Sequence, residues 1–376
     1  MAGAGGVGPA RAPVRHLLGP LARSPEAVTR ERTTAAKLGA CRAHSRPKAG
    51  NRHAPAKHAD VSDSRFRYLE IGGRVRRPAV VTEEEPTTAA PVERVAFRVA
   101  ETIGSFGGAL GQFSKPGGIS VDRSSNVYVA DSCNHRVQKI TPVGEVYGLG
   151  GEGLLLYPQG VAVDHAGHIY VVEQGANRLQ KFGPHGQWLF AVGGPESGQP
   201  RFASPTDICI DSYHHVYIAD TDNNRVSCYS ATGQWQIDFH GPTSDLSLGR
   251  PQGVTVDGVG RLYVSDTMHH RILRLTPDGR FDALIGLPGP GPGELSEPRG
   301  LALDLDGGLW VADAGNDRVQ KFSPEGEVVC CFPRTPSRKL DLASPSSVAV
   351  DPRGSVYVSD SLGHRILRLV PSGDRR

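Results

Sequence analysis

Acidic and arginine side chains five residues apart recur along the chain and are its first candidates for chemistry. A carboxylate beside a guanidinium can serve acid–base catalysis, or it can form a charge-assisted hydrogen bond that fixes a turn. A catalytic site needs one such constellation, whereas a repeated architecture needs one in every repeat. The repetition therefore predicts structural pairs, called braces below: Asp131/Arg136, Glu173/Arg178, Asp220/Arg225, Asp266/Arg271, Asp313/Arg318 and Asp360/Arg365.

A longer repeat surrounds each brace and predicts the elements that position it. Each repeat has a proline, an apolar strand ending in Asp, a second strand with a central aromatic residue, a third strand opened by the brace arginine, and a turn with glycine. Four short antiparallel strands in each period of about 40–50 residues are typical of a propeller blade. The six prolines are Pro116, Pro158, Pro205, Pro251, Pro298 and Pro345.

The two ends of the repeated region complement each other. The sixth repeat lacks its fourth strand, whereas residues 100–108 resemble the fourth-strand segment 186–194 in length and ending. An N-terminal strand that completes the last blade would close the ring and leave no open end. The sequence therefore predicts an all-β, six-bladed propeller over residues 96–376.

Composition and charge separate this region from the N-terminal segment. The chain has 47 Gly and 29 Pro, which disfavour helices and build turns. Residues 1–58 hold eleven Lys and Arg against two Glu, whereas residues 101–376 hold 24 basic and 30 acidic residues. We expect residues 1–95 to be a disordered basic tail and linker, rich in Ala, Pro and Arg near its start.

Localisation signals are weak. Residues 1–25 lack acidic side chains and are compatible with an organelle transit peptide, although a solvated linker is the simpler explanation. The apolar runs are too short for a membrane-spanning helix. The irregular cysteine spacing favours an intracellular, cytoplasmic protein.

The repeat resembles the NHL repeat. The resemblance is carried by Pro158-Gln159-Gly160-Val161-Ala162-Val163-Asp164 and Gly315-Asn316-Asp317-Arg318-Val319-Gln320-Lys321-Phe322, and it extends over about residues 97–376. It implies a six-bladed NHL β-propeller whose usual role is binding, without indicating the partner. The RING and B-box modules often fused to such repeats need Cys-x2-Cys pairs, which this sequence lacks.

Residues that differ between the repeats are the candidates for binding. The residue after each proline should ring one mouth of the central channel, where a water-filled channel is the simpler alternative. Three basic residues also cluster in the connection before the last repeat. The predicted binding residues are Gln159, Thr206, Asp207, Gln252 and Arg299 in the channel, with Arg334, Arg338 and Lys339 in that connection.

Three functions remain open at this stage. The sequence favours a non-catalytic scaffold for a protein or peptide, with no catalytic residue, cofactor or metal. Amidating lyases resemble NHL propellers but hold zinc with histidines after the blade prolines, and those positions contain no His here.

A metal-dependent lyase or lactonase-like enzyme at the channel stays possible. Some NHL propellers bind RNA through a basic face, which an acidic propeller disfavours. The oligomeric state is undetermined.

Overall fold

The computed structural model describes residues 14–16, 96–150, 153–194, 202–333 and 342–372. The predicted tail over residues 1–95 lies outside these ranges, apart from one short strand. The predicted cluster of Arg334, Arg338 and Lys339 also lies outside the described residues.

The described residues after position 95 form six four-stranded antiparallel sheets, which are the blades of a propeller. The first strand of each blade lies at the central channel and the fourth lies at the periphery. The inner strands of neighbouring blades contact one another around the whole ring, including those of the last and first blades. The predicted propeller is therefore confirmed.

The strands follow the predicted repeat. Blade 4 differs at its start, because its inner strand begins at Gly253 and not at the proline. The strands are Pro116–Val121, Val127–Asp131, Arg136–Ile140 and Val146–Gly150 in blade 1; Pro158–Val163, Ile169–Glu173, Arg178–Phe182 and Trp188–Gly193 in blade 2; Pro205–Ile210, Val216–Asp220, Arg225–Tyr229 and Trp235–Phe239 in blade 3; Gly253–Val256, Leu262–Asp266, Arg271–Leu275 and Phe281–Ile285 in blade 4; Pro298–Leu303, Leu309–Asp313, Arg318–Phe322 and Val328–Phe332 in blade 5; and Pro345–Val350, Val356–Asp360, Arg365–Pro371 and Phe97–Ile103 in blade 6.

The described residues also include two very short strands and several single-turn helices between the blade strands. Two two-residue strands, Leu287–Pro288 and Glu294–Leu295, pair with each other before blade 5. No helix in the described residues is long and apolar enough to cross a membrane. The single-turn 3-10 helices are Ser132–Asn134, Thr221–Asn223, Ser244–Leu246, Thr267–His269 and Ala314–Asn316.

An N-terminal strand completes blade 6 as the sequence predicted, but it spans residues 97–103 and not 100–108. Phe97–Ile103 pairs antiparallel with Arg365–Pro371 as the outer strand of blade 6. Phe97 and Val99 pack into the apolar cluster between blades 5 and 6, and Ile103 packs between blades 6 and 1. Val14–His16 is also a strand and pairs in parallel with the outer strand of blade 1, a contact that the sequence did not predict.

The core lies between the blades rather than at one centre. All residues of the second strand are buried in five of the six blades, because a neighbouring blade covers each face of the sheet. One apolar cluster fills each of the six interfaces between neighbouring blades. Each blade is therefore held by its two neighbours.

Removing the closing strand should open the ring. We expect the chain without residues 1–95 to fold, and the chain without residues 1–103 to lose several kcal/mol of unfolding free energy. Three apolar side chains would leave the inter-blade clusters, at about 2 kcal/mol each. Urea unfolding of the two shortened chains measures the difference, and equal midpoints would show that the strand does not close the ring.

Candidate functional site

The brace of blade 5 shows how completely its carboxylate is used. Asp313 is fully buried and accepts the backbone N–H of Ser296 at 2.7 Å and Nε–H of Arg318 at 2.7 Å. It also accepts the side-chain amides of Asn316 at 2.9 Å and Gln320 at 3.0 Å. A buried carboxylate with this many donors is satisfied, and no lone pair remains directed at a substrate.

The other five braces have the same geometry. In every blade the acidic side chain is fully buried, and the arginine Nε lies 2.6–2.8 Å from a carboxylate oxygen. In every blade the carboxylate also accepts, at 2.7 Å, the backbone N–H of the residue 17 positions earlier. These donors belong to Ser114, Leu156, Ala203, Gly249, Ser296 and Ala343.

The braces organise one face of the ring, called the loop face here. It carries the turns between second and third strands, such as residues 132–135 and 361–364, and the connections between blades, such as residues 104–115 and 286–297. Arg318 donates to the carbonyl oxygens of Pro290, Gly291 and Glu294, each at 2.7 Å. The brace thus fixes the connection that enters its blade as well as its own turn.

Three histidines on the loop face join neighbouring blades. His364 in blade 6 has a left-handed backbone, and its Nδ1 accepts the N–H of Lys115 in blade 1 at 3.1 Å. Each of the three imidazoles accepts a backbone N–H and so links its turn to the connection that enters the next blade. Equivalent contacts are Tyr157 to His135, Ser204 to Asn177, Arg250 to Asn224, Glu297 to His270 and Ser344 to Asp317.

The channel mouth lies at the centre of the loop face. Its narrowness follows from the close approach of the inner strands: a β-carbon at Gly118 would lie 2.7 Å from the carbonyl oxygen of Gln159 in the next blade. The resulting cavity of about 50 Å³ is far smaller than pockets for organic ligands, which are about 300–1,000 Å³. The residues predicted to ring the mouth do meet there: Gly117, Gly118, Gln159, Thr206, Asp207, Gln252, Arg299, Ser346 and Ser347.

Asp207 is the buried acidic residue of this cavity. Equivalent positions in the other blades hold Gly or Ser, so blade 3 alone places a carboxyl group here. Its Oδ2 accepts the backbone N–H of Val254 in blade 4 at 3.0 Å. Burial raises the pKa of Asp207 to about 7, because water no longer stabilises the charged form.

Arg299, in blade 5, contributes a positive charge to the channel mouth, and blade 4 separates it from Asp207 in blade 3. Its Nη1 donates to the Ser344 hydroxyl at 3.2 Å, and its Nη2 lies 3.9 Å from the Glu297 carboxylate. Its Nε is buried without a hydrogen-bond partner in the described part of the chain. The channel can therefore offer polar and charged contacts to a small group that enters it.

The loop face carries a set of exposed apolar side chains that the sequence did not predict. Phe106 is 68% exposed and stacks edge-on against the His364 ring, with centroids 4.8 Å apart. Tyr157 makes the same contact with His135 at 4.3 Å. Repeat comparison could not reveal them, because their positions hold different residue types from blade to blade: four lie in connections between blades, and Met268 and Leu362 lie in turns between second and third strands. The set is Phe106, Leu156, Tyr157, Met268, Leu287 and Leu362.

The family model for the NHL repeat matches five segments of the chain, residues 113–140, 155–182, 202–229, 295–322 and 342–369. These are the first three strands of blades 1, 2, 3, 5 and 6. The chain belongs to the NHL repeat family. Blade 4 of this NHL propeller has the same strand order although its segment gives no match. No curated protein matches the chain.

Solved structures share the fold of the NHL propeller at low sequence identity. A streptogramin B lyase is 16% identical, with a TM-score of 0.55 over 73% of this chain and 98% of its own. A gluconolactonase from Xanthomonas campestris is 17% identical, with a TM-score of 0.55 over 76% and 94%. A protein of unknown function from Bacteroides thetaiotaomicron is 17% identical, with a TM-score of 0.59 over 73% and 76%. These likenesses show the fold alone.

Breaking one brace should destabilise the NHL propeller. We expect Asp313→Ala to lower the unfolding free energy by about 3 kcal/mol, because several buried donors lose their acceptor. Thermal and urea unfolding measure the loss. Asp306→Ala, in an exposed turn of the same blade, is the matched control. Equal stability of the two variants would contradict the structural role of the brace.

The buried carboxyl in the channel should make stability depend on pH. The pKa of Asp207 is higher in the folded chain than its ordinary 3.8. Its contribution to stability is therefore complete below about pH 4 and disappears as the pH rises through about 7. We expect the unfolding free energy of Asp207→Asn to fall by about 2–4 kcal/mol less than that of the wild type between pH 4 and 8, as measured by urea unfolding. Parallel profiles for wild type and variant would be the contradicting result.

Proposed function

We propose that this NHL propeller is a non-catalytic binding protein that presents its loop face to a protein or peptide partner. The observation that carries the proposal is the set of exposed apolar side chains on the connections and turns that the braces hold in place. Apolar and aromatic side chains in rigid loops lose little entropy on binding and provide most of the energy at protein interfaces. Recognition residues commonly lie on loops above a rigid scaffold.

The apolar side chains occupy separate positions around the channel mouth. Phe106 and Leu362 lie where blades 6 and 1 meet, Leu156 and Tyr157 lie between blades 1 and 2, and Met268 and Leu287 lie on the side of blades 4 and 5. Such spacing suits a partner that extends over the face and not a small molecule in one pocket. A mixture of apolar contacts and a polar surround is normal for protein interfaces.

The channel residues would contribute polar contacts at the centre of this interface. Gln159, Thr206, Gln252 and Arg299 offer amide, hydroxyl and guanidinium groups at the mouth. A backbone or side-chain group of the partner could satisfy the buried Nε of Arg299. The basic cluster before blade 6 remains a predicted part of the same binding surface.

Paired variants on the two faces test the proposal. Phe106→Ser with Leu362→Ser removes apolar side chains from the loop face, whereas Val259→Ser with Leu305→Ser removes exposed ones from the opposite face. We expect affinity enrichment to recover the same partner with wild type and the control, and the loop-face variant to bind it at least about tenfold more weakly. Circular dichroism verifies that both variants fold.

Two outcomes would overturn the proposed face. One is binding of the purified partner with equal affinity to wild type and the loop-face variant. The other is a loss of affinity that is confined to the variant on the opposite face. Titration calorimetry with the purified partner and each variant distinguishes these results from a non-specific loss during enrichment.

A metal-dependent lyase or lactonase at the channel is the second candidate, favoured by the buried Asp207 carboxyl. The residues fit a divalent ion poorly: such ions take several oxygen ligands, and one oxygen of this carboxylate already accepts the Val254 N–H. Among the described residues, no group of three or more His, Cys, Asp or Glu side chains is arranged to hold a metal. Calorimetric uptake of Ca²⁺, Mn²⁺ or Zn²⁺ that Asp207→Asn abolishes would favour this candidate.

A further inference from the structure

The connections that enter the blades differ in length, and the connection into blade 2 is the shortest of the six. It spans residues 151–157, whereas the connections into blades 1 and 5 span residues 104–115 and 286–297. All three lie on the loop face and lead to the inner strand of the blade that follows. The shorter connection therefore covers less of its blade than the two longer ones do.

In blades 1 and 5 the longer connection is held by side chains of the blade that it enters. In each blade an asparagine amide and the brace arginine donate to the carbonyl oxygens of three successive connection residues, at 2.7–3.0 Å. A polypeptide backbone thus occupies the place above the brace. The donors are Asn134 and Arg136 for residues 107–109, and Asn316 and Arg318 for residues 289–291.

The described part of blade 2 lacks these contacts. Its turn has Ala176 at the position of the asparagine, and so it has no side-chain amide there. Nη2 of Arg178 donates to the Leu154 carbonyl oxygen at 3.1 Å and to the Glu173 carboxylate at 3.2 Å. Nη1 of Arg178 has no hydrogen-bond partner among the described residues. This nitrogen therefore lacks the carbonyl oxygen that its counterparts in blades 1 and 5 bind.

A cavity of about 680 Å³ lies at this place on the loop face of blade 2, and it is called the blade 2 cavity here. Its volume falls within the range of about 300–1,000 Å³ that is typical of ligand pockets. Arg178 and Ala176 line it together with the apolar side chains of Leu155, Leu156 and Phe202. Because Leu156 also belongs to the exposed apolar set, the cavity is continuous with the proposed partner surface.

Charge decides which acceptor suits the blade 2 cavity. Glu173 is fully buried, and its carboxylate oxygen lies 2.6 Å from Nε of Arg178. The positive charge of the guanidinium is thus already balanced, and a second carboxylate would be buried without a counter-charge of its own. A neutral carbonyl oxygen can accept from the Nη1 N–H groups without this cost. The peptide group is therefore the matching chemistry, as it is in blades 1 and 5.

We propose that the blade 2 cavity binds a short backbone segment of the protein or peptide partner. The segment takes the place that the chain's own connections occupy in blades 1 and 5. One of its carbonyl oxygens accepts from Nη1 of Arg178, and one of its apolar side chains packs against Leu156 and Phe202. This inference rests on the proposed function, because the cavity lies on the loop face.

Amide NMR of the full chain with a capped peptide tests the blade 2 cavity. The probe is acetyl-Phe-Gly-Gly-Ala-Leu-Gly-amide, which has the sequence of residues 106–111 in the blade 1 connection. We expect saturable chemical-shift changes at residues 153–156 and 175–178, with a dissociation constant of about 1 mM or lower. Shift changes that are absent there, or confined to other parts of the chain, overturn the proposal. Changes at these residues on concentrating the chain without peptide would assign the cavity to a second copy and also overturn it.

Two substitutions of Ala176 should move the peptide affinity in opposite directions. Ala176→Asn supplies the amide that blades 1 and 5 use, and the added hydrogen bond should strengthen binding about two- to tenfold. Ala176→Trp fills the cavity and should weaken binding at least about tenfold. Met268→Trp is the matched control, because it places the same side chain on the corresponding turn of blade 4. We expect the control to bind like the wild type, and thermal unfolding verifies that the variants fold.

The outcomes separate this inference from the proposed function. Unchanged peptide affinity in both Ala176 variants, or an equal loss in Met268→Trp, overturns the assignment to the cavity. With the purified partner, weaker binding of both Ala176→Trp and the loop-face variant Phe106→Ser with Leu362→Ser supports the inference. If the loop-face variant weakens partner binding and Ala176→Trp does not, the loop face stands and the cavity inference fails. If neither weakens it, the proposed function itself fails.

Discussion

A buried carboxylate is costly unless donors surround it, and this constraint governs the ring. Each blade places one acidic side chain beneath its loop-face turn and satisfies it with an arginine and with a backbone N–H from the incoming connection. The same arginine then holds carbonyl oxygens of that connection in at least blades 1 and 5. Turn, connection and third strand thus depend on one charge. Because neighbouring blades share their apolar clusters, loss of one brace would weaken both interfaces of its blade.

The two faces of the propeller consequently have different properties. On the loop face, ordered connections of unequal length present exposed aromatic and aliphatic side chains around a narrow polar channel. On the opposite face, tight hairpin turns are fixed by a second acidic residue, such as Asp122, which accepts the N–H groups of Ser124 and Asn126 at 2.9 Å. Variation in length is confined to the first face. A repeated scaffold can therefore acquire a specific binding surface without altering its strands.

The sequence predicted the fold because each blade repeats the same physical requirements: a proline before the inner strand, a buried second strand and a brace across the turn. It also located the channel residues, since their positions follow from the repeat. It did not reveal that His135, His270 and His364 accept backbone hydrogen bonds, because histidine, asparagine and aspartate serve that purpose in different blades. It also missed Phe106 and Tyr157, whose exposure depends on the path of connections without a repeat. The raised pKa of Asp207 needed the position of blade 4, which covers it.

The closing strand gives the chain an unusual order of assembly. Residues 97–103 leave the ribosome before every blade, yet their pairing partner, residues 365–371, is made after all the others. During synthesis the growing ring therefore exposes one unpaired strand and one uncovered blade interface until its last strand emerges. Contacts so distant in sequence form late and slowly. The ring can therefore close only when almost the whole chain has been made, and its first and last blades gain their shared interface together with that closure.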